Sequence, residues 1–460
     1  MKKIEARANI CLLLALVLLL GLGLYIARFV RDGGRWVAYA ANRHLYNSQG
    51  SLAVGRVLDR DGDVLSWVED GVRRYYNGST VRKATLHAVG DPGGNIGTGA
   101  LTAFANKLSG YNQITGAYHF MGAGNDLYLT LDARYNYIAY EALGGRKGAV
   151  GVYNYKTGEL LCMVSSPSFD PLDPPAADQL EDPRYEGVYL NRFLSGTFVP
   201  GSVFKTITLT AALECIPDVT TRHWTCTGST QVGGAPVTCP KVHGELDLTG
   251  ALAHSCNGVF ALLAAELGRE TLTRYVDRSG LTSTYQVSGI RTAPSRISLE
   301  NATGHELGWA GVGQHTDLVN PCALMVYMGA VANGGRAAVP QLVLKTVTPI
   351  GKAGLRLSPY LTRKTGELIQ NDTAQRLSGI MAQAAVEAYG TNRFPNMDLC
   401  AKSGTAEVGG GLTPNAWFTG FLRNPDAPYA FVVLVEQGGG GAEVAGTVAA
   451  RVLDAIVNGY

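Results

Sequence analysis

Ser202 and Lys205 stand three residues apart, just after Pro200-Gly201, at the expected start of an apolar helix. Side chains three apart share one face of a helix, so the hydroxyl and the amine can meet. A serine hydroxyl becomes a good nucleophile only when a nearby base takes its proton. Burial near other cations lowers the pKa of a lysine and frees its amine to act as that base. The pair predicts acyl transfer by a serine nucleophile with a lysine base, although the spacing alone also fits two unrelated surface residues.

Ser255 and Asn257 form a second cluster, at an interruption of the helical pattern over 247–267. A serine hydroxyl both donates and accepts, so Ser255 could pass a proton between a lysine and a leaving amine. The Asn257 amide could hold a substrate peptide bond, and a polar helix break that caps itself is the alternative. We expect Cys256, between them, to point away from the pocket and to pack.

A third cluster, Lys402, Ser403, Gly404 and Thr405, continues an apolar strand predicted over 398–408. The lysine and the two hydroxyls can bind a carboxylate. Gly404 would let a substrate approach the backbone closely. We therefore predict a carboxylate-binding strand here.

Two similar triplets compete for that role. Lys156-Thr157-Gly158 precedes the nucleophile and fits a hairpin turn. Lys364-Thr365-Gly366 follows Ser255, so its order does not exclude it, but it lacks the strand and partner strand that surround Lys402. Strand context therefore favours the cluster at Lys402.

Length and composition limit the class of protein. The chain has 460 residues, which suggests two or three domains. A hydrophobic content of 46% and a charged content of 17% are typical of a globular protein. The net charge of +2 gives no support for nucleic-acid binding.

An uninterrupted apolar run over 10–27 is long enough to cross a bilayer as a helix. A cleavable signal peptide is the alternative, since Ala38-Tyr39-Ala40 resembles a cleavage site. That site lies beyond Arg28, Arg31 and Arg35, unlike a signal peptide, so we expect a retained anchor. Basic residues flank both ends of the run and do not decide its orientation.

Eight cysteines include a group close together in the chain. If the body is exported, Cys226 and Cys239 could form a disulfide or remain free thiols. Cys226, Cys239 and His243 could also be three ligands of a zinc site, with His223 nearby. No convincing fourth ligand follows, so we expect no metal.

Strands and helices alternate irregularly, which predicts an α/β or α+β catalytic domain. Asp132 is the expected N-cap of a helix to Leu143, and Gly144-Gly145 then breaks the chain. Residues 86–124 are glycine-rich and predicted to be mainly loop. Further predicted strands are 127–131, 148–153, 159–164, 416–422 and 429–436, with a strand and turn over 56–62. Further helices are predicted from 202, over 323–332 and over 447–457.

The three clusters, in this order, resemble those of the class B penicillin-binding proteins, which are membrane-anchored D,D-transpeptidases of the bacterial cell wall. The resemblance runs from Arg56 to the C-terminus. Further segments that carry it are Gly148-Ala149-Val150 through Pro167-Ser168-Phe169-Asp170, Asn191-Arg192, Gly311-Val312-Gly313-Gln314 and Asn333-Gly334-Gly335.

The resemblance implies a reaction. Ser202 would attack the D-Ala-D-Ala bond of a stem peptide, and Lys205 would take its proton. Ser255 would relay a proton to the departing D-alanine, and Asn257 would orient the donor. The acyl-enzyme would pass to an amine of a neighbouring stem, and β-lactams would trap Ser202.

It also implies how the rest of the site works. Lys402, Ser403 and Thr405 would hold the donor carboxylate. Backbone N–H groups of Ser202 and Thr405 would form the oxyanion hole. No cofactor is implied.

The resemblance further implies an organisation: a cytoplasmic tail over 1–9, a membrane anchor over 10–27, a short pedestal over 28–144 and a transpeptidase domain over 145–460. The domain would surround a mainly antiparallel sheet with helices. The body would lie outside the cytoplasmic membrane, where stem peptides are. A separate SEDS-type polymerase would be the partner, because no glycan-polymerising domain is expected before the pedestal.

Three alternatives stay open. A D,D-carboxypeptidase or a β-lactamase carries the same clusters but uses water, for which Glu300 or Glu306 could be the base. A β-lactam sensor would need more cytoplasmic sequence than residues 1–9. A wall-assembly scaffold without activity would not need intact Ser202, Lys205 and Ser255.

Overall fold

The computed structural model describes residues 2–37, 54–109, 124–348 and 362–459. The candidate cleavage site at 38–40 and much of the predicted loop over 86–124 lie outside the described residues.

The first element is a long helix, α1 (Lys2–Val37), which contains the predicted apolar run. Within Lys3–Phe29, an 18-residue window has a mean hydropathy of 2.9, and none of that window is buried. The helix is longer than the run because it continues past Arg28. Its exposed leucines make it a candidate membrane span by length and composition.

A five-stranded sheet follows, in the order β13-β4-β1-β2-β3. Strand β1 pairs in parallel with β4 and antiparallel with β2. The predicted strand and turn near Asp59 are confirmed, since the Asp59 carboxylate accepts from three successive backbone N–H groups. The strands of this sheet are β1 (Val57–Leu58), β2 (Val64–Glu69), β3 (Val72–Tyr75), β4 (Asp126–Leu129) and β13 (Val343–Val347).

Helices partly replace the loop predicted over 86–124. α2 (Ser79–Val89) reaches into this stretch, and the short helices α3 (Ala100–Ala103) and α4 (Ala105–Leu108) lie within it. The glycines that suggested loop flank these helices, as Gly90 and Gly99 do, instead of interrupting them. The prediction of loop therefore holds for 90–99 and misses these helices.

Helix α5 (Ala133–Leu143) confirms the cap prediction. The Asp132 side chain accepts hydrogen bonds from the N–H groups of Arg134 and Tyr135, and Gly144 ends the helix in the left-handed conformation. This capping satisfies backbone groups that a helix leaves open at both ends.

A second five-stranded sheet, in the order β14-β15-β16-β5-β6, is antiparallel throughout. Successive side chains of a strand point to opposite faces. In β16, Val432 and Leu434 join the core beneath α11, whereas Phe431 and Val433 join the core beneath α5 and α13. Because both faces are buried, the strands read as apolar runs. The elements are β5 (Gly148–Asn154), β6 (Leu160–Ser166), β14 (Leu399–Ala406), β15 (Asn415–Leu422), β16 (Tyr429–Val435), α11 (Pro321–Ala332) and α13 (Gly446–Asn458).

A helical lobe completes the body and packs on β14 and α11. The sequence missed α12 entirely. The predicted helix end at Leu267 coincides with a kink at Gly268, which has φ +74°, and the second helical segment of α9 beyond this kink was not predicted. The other elements of this lobe are α6 (Arg192–Ser195), α7 (Lys205–Cys215), α8 (Leu248–Ala253), α9 (Asn257–Arg278), α10 (Gly304–Val312) and α12 (Asn371–Tyr389). Its short strands are β7 (Trp224–Cys226), β8 (Ser229–Val232), β9 (Ala235–Thr238), β10 (Gly244–Leu246), β11 (Gln286–Val287) and β12 (Ile290–Arg291).

Candidate active site

Ser202 lies in a 3₁₀ turn, Gly201–Phe204, that leads directly into α7. The α-helix thus begins at Lys205, one turn later than predicted. In a 3₁₀ turn residues three apart eclipse each other, so Ser202 and Lys205 still share a side. Gly201 has φ +58°, and a Cβ there would lie 2.8 Å from the carbonyl oxygen of Thr405. Glycine therefore lets the nucleophile turn press against β14.

Lys205 is fully buried beneath the turn. Its Nζ donates to the carbonyl oxygen of Ser255 at 2.6 Å and to Oδ1 of Asn257 at 2.7 Å, and it lies 3.0 Å from the Ser255 hydroxyl. Burial first, and the nearby Lys402 second, hold the pKa of Lys205 well below its usual value. A neutral amine keeps a lone pair, which is what a general base requires.

Ser255 sits between α8 and α9 with φ +54°, in the left-handed region. Few residues with a Cβ adopt this conformation, and it commonly marks functional sites. The break is held by backbone hydrogen bonds from Ser255 to Leu252 and from Cys256 to Ala251. The turn directs both the carbonyl and the hydroxyl of Ser255 toward the Lys205 amine.

Asn257 is the first residue of α9. Its Oδ1 accepts from Lys205, and its Nδ2 donates to the carbonyl oxygen of Thr238 at 2.8 Å. These two bonds define which end of the amide faces the lysine. One N–H of the amide is left for a ligand in the cleft.

On β14, Ser403 and Thr405 face the cleft and Lys402 is buried. The Lys402 Nζ donates to the carbonyl oxygen of Ser403 at 3.0 Å, and burial lowers the pKa of this lysine to about 7. Register with β15 pairs Lys402 with Thr419. The Ser403 and Thr405 hydroxyls and the buried Lys402 amine therefore lie on one strand, as the sequence predicted.

Gly404 has a packing role. A Cβ at this position would lie 2.9 Å from the carbonyl oxygen of Pro200 and 3.1 Å from a methyl group of Val203. Glycine thus permits the close approach of β14 to the nucleophile turn. Trp417 of β15 fixes the same contact, since its indole donates to the carbonyl oxygen of Val199 at 2.8 Å.

These elements enclose a cleft of about 540 Å³, a volume typical of small-ligand sites. Five of the eight predicted residues line it, namely Ser202, Ser255, Asn257, Ser403 and Thr405. Lys205 and Lys402 are buried behind it.

Neither competing triplet lines this cleft. Lys156 and Thr157 belong to a turn in which both backbone N–H groups donate to the Asn154 side chain. Lys364 is exposed and forms an isolated bridge with Ala338.

Several cleft or support residues were not predicted. The Tyr389 hydroxyl accepts from the backbone N–H of Ser403 at 2.7 Å and donates to the Ser403 hydroxyl at 3.0 Å. Recognising α12 as an amphipathic helix would have been the signal for Tyr389, since it is the last residue of that helix. Trp309, Gln314 and Glu407 also line the cleft, and Gln314 donates to the carbonyl oxygen of Thr405 at 3.5 Å.

The carboxylates that the sequence suggested as bases for water are elsewhere. Glu306 forms a capping box with Thr303 at the start of α10. Neither Glu306 nor Glu300 lines the cleft, and among the described residues Glu407 is its one acidic side chain.

The chain matches the family described as the penicillin binding protein transpeptidase domain over residues 148–457. It is 28% identical over 369 residues to the peptidoglycan D,D-transpeptidase PbpA of Mycobacterium tuberculosis, covering 73% of each chain. It is 29% identical over 359 residues to the stage V sporulation protein D of Bacillus subtilis, covering 73% of this chain and 53% of that protein.

Among solved structures, penicillin-binding protein A from M. tuberculosis, as a ceftriaxone acyl-enzyme complex, superposes with a TM-score of 0.77 at 25% identity. The alignment covers 88% of this chain and 98% of that one. The predicted fold, helices around an antiparallel sheet, is confirmed by this likeness. With the family match over more than half of its length, the chain belongs to the penicillin-binding protein transpeptidase family and is a class B member of it.

Proposed function

We propose that this protein is a peptidoglycan D,D-transpeptidase with Ser202 as nucleophile and Lys205 as general base. The observation that carries the proposal is the Lys205 amine, fully buried, low in pKa and hydrogen-bonded to both Ser255 and Asn257 beside the nucleophile turn. The relative PbpA bears the name of this activity.

Acylation follows from these contacts. Ser202 Oγ forms a bond to the carbonyl carbon of the penultimate D-alanine, and its proton passes to the Lys205 amine. The C–N bond then breaks, and the terminal D-alanine leaves as an amine. Its proton comes from Lys205 through the Ser255 hydroxyl, which lies 3.0 Å away. Lys205 returns to its neutral form.

Backbone N–H groups of Ser202 and Thr405 stabilise the negative oxygen of the tetrahedral intermediate in this proposal. The Ser403 and Thr405 hydroxyls bind the donor carboxylate, and the charge of Lys402 favours an anion at that strand. Asn257 orients the donor peptide through the side-chain N–H that does not bond to Thr238.

An amine of a second stem peptide then attacks the acyl-enzyme, a new C–N bond forms and the ester C–O bond to Ser202 breaks. The proton that the amine loses returns to Ser202 Oγ through Lys205. Hydrolysis by water is the second candidate outcome, and the Glu407 carboxylate in the cleft is the observation that favours it. Glu407 is exposed, so it lacks the apolar surroundings that usually tune a carboxylate into a base.

The apolar helix supports a cellular placement. In this proposal residues 10–27 anchor the protein in the cytoplasmic membrane, with 1–9 inside and the body outside. Residues 28–144 form the pedestal, and residues 145–460 form the transpeptidase domain. The two parts are in contact, since β13 pairs with β4 of the pedestal and α5 of the pedestal packs on β6 and α13. A SEDS-type polymerase supplies the glycan strands.

Product analysis tests the reaction. The purified full-length protein is incubated with a D-Ala-D-Ala stem-peptide donor and an amine acceptor, and products are resolved by mass spectrometry. A cross-linked product that disappears in Ser202→Ala supports transpeptidation. Free tetrapeptide as the main product, reduced in Glu407→Gln, would replace the proposal with a carboxypeptidase.

A further inference from the structure

Three thiols and an imidazole meet beside the cleft. The ligand atoms of Cys226, Cys239, His243 and Cys256 all lie within 4.8 Å of one another. The sequence pointed to the first three but offered no fourth. The fold supplies it from Cys256, at the start of α9, which the sequence assigned to packing.

The spacing of these atoms fits one tetrahedral ion. A zinc–sulfur bond of about 2.3 Å places two thiolates of a tetrahedron about 3.8 Å apart, and a thiolate and an imidazole nitrogen about 3.6 Å apart. The Cys239 and Cys256 sulfurs lie 3.7 Å apart, and the Cys226 sulfur lies 3.3 Å from Nδ1 of His243. A disulfide would need a sulfur separation of about 2.05 Å.

The surrounding chain consists of short strands. Strands β7 to β10 contain three or four residues each, and most of their side chains are not buried. A bound metal would add its binding free energy to the stability of these short strands. Cys226 ends β7, Cys239 follows β9 and His243 precedes β10, so one ion would tie three of the strands to α9.

The cluster is also joined to the catalytic residues. Cys256 stands between Ser255 and Asn257, and the N–H of Gly258 donates to the Cys239 sulfur at 3.5 Å. Backbone donors to sulfur commonly support metal-bound thiolates. Cys239 and His243 line the cleft itself, and Thr238, the neighbour of Cys239, accepts from Asn257.

We propose that Cys226, Cys239, His243 and Cys256 form a structural Zn²⁺ site that fixes the Ser255–Asn257 turn and the adjoining wall of the cleft. Three cysteines and one histidine are a ligand set of closed, structural zinc sites, with no position left for water. Binding replaces the thiol protons, which are released to solvent. The ligands are positioning residues, since they act on the reaction through Ser255 and Asn257.

The first test is metal content. The full-length protein is purified in detergent without chelators, and zinc is measured by inductively coupled plasma mass spectrometry. We expect about one zinc per chain, as for other structural sites, and its loss in Cys239→Ser and His243→Ala. The matched control is Cys215→Ser, because Cys215 is an exposed cysteine outside the cluster, and it should keep the ion.

The second test is structural. Removing the ion with a strong chelator should lower the thermal midpoint of unfolding and slow penicillin acylation about tenfold, and added Zn²⁺ should restore both. In the native protein the ion should protect Cys226, Cys239 and Cys256 from alkylation, while Cys215 reacts.

Wild-type protein that contains no zinc and takes none up from ZnCl₂ would overturn the proposal. A disulfide between any two of the three cysteines in a non-reduced digest would overturn it as well. Either result leaves the assignment of Ser202 and Lys205 intact, because that assignment is tested by acylation and product formation.

Discussion

The amide oxygen of Asn257 lies 2.7 Å from the Lys205 amine, and the nitrogen of the same amide is held by the Thr238 carbonyl group. Lys205 thus faces a neutral acceptor in a buried site. This contact orients the amine without adding a negative charge that would keep it protonated.

Asn257→Asp tests the importance of that neutrality. A carboxylate beside Lys205 favours the ammonium form and raises the pKa of the lysine. The fraction of free base at neutral pH then falls, about tenfold for each unit by which the pKa rises above the pH. The second-order rate of penicillin acylation should be lower than that of the wild type at pH 7, and the ratio of the two rates should approach one as the pH increases. A ratio that stays low at every pH would show that Asn257 acts on the substrate and not through Lys205.

Ser255→Gly and Ser255→Ala separate backbone strain from proton transfer. At φ +54° a Cβ is disfavoured, so the glycine variant should be more stable to denaturant than the alanine variant by about 1 kcal/mol. Both variants lack the hydroxyl and should lose acylation about equally, by roughly 100-fold, a common size for proton-transfer catalysis. Equal stabilities would contradict the strained turn, and near-normal rates would contradict the relay.

The lowered pKa of Lys402 predicts that the rate of acylation declines at alkaline pH. Burial lowers the pKa of this lysine to about 7, so its positive charge is present below that pH and is lost as the pH rises through it. Acylation by a penicillin with a free carboxylate should therefore slow above pH 7. A penicillin ester has no such charge and is the matched control. A decline of the same size with the ester would assign it to another group.

Tyr389→Phe should lower the stability of the protein and slow its acylation, because Tyr389 supports Ser403 on β14. The variant removes the acceptor of the Ser403 N–H and the donor to its hydroxyl. Loss of a partner for a partly buried N–H costs about 1 to 3 kcal/mol, which chemical denaturation would measure, and carboxylate-bearing β-lactams should acylate more slowly. Tyr137→Phe, at an exposed position on α5, should change neither quantity.

Local patterns in the sequence predicted the elements that carry the site. Asp132 and Gly144 mark the ends of α5 because capping is a local interaction, and β14 to β16 read as strands because both of their faces are buried. Order along the chain also grouped Ser202 and Lys205 with Ser255, and their catalytic roles stay predictions.

What the sequence missed depends on contacts between distant segments. Tyr389 reaches Ser403 only because α12 packs on β14. Cys256 meets Cys226 and Cys239 only after β7 to β10 fold against α9. The close approach of Gly404 to Pro200 likewise joins segments about 200 residues apart. No local pattern therefore shows why a glycine is needed there.

The residue to which penicillin becomes attached identifies the nucleophile. The full-length protein is treated with penicillin, digested and mapped by mass spectrometry, with Ser202→Ala beside it. We expect one adduct, on the hydroxyl of Ser202, and none in the alanine variant. An adduct on another residue, or an alanine variant that is still acylated, would contradict the assignment of Ser202 as the nucleophile.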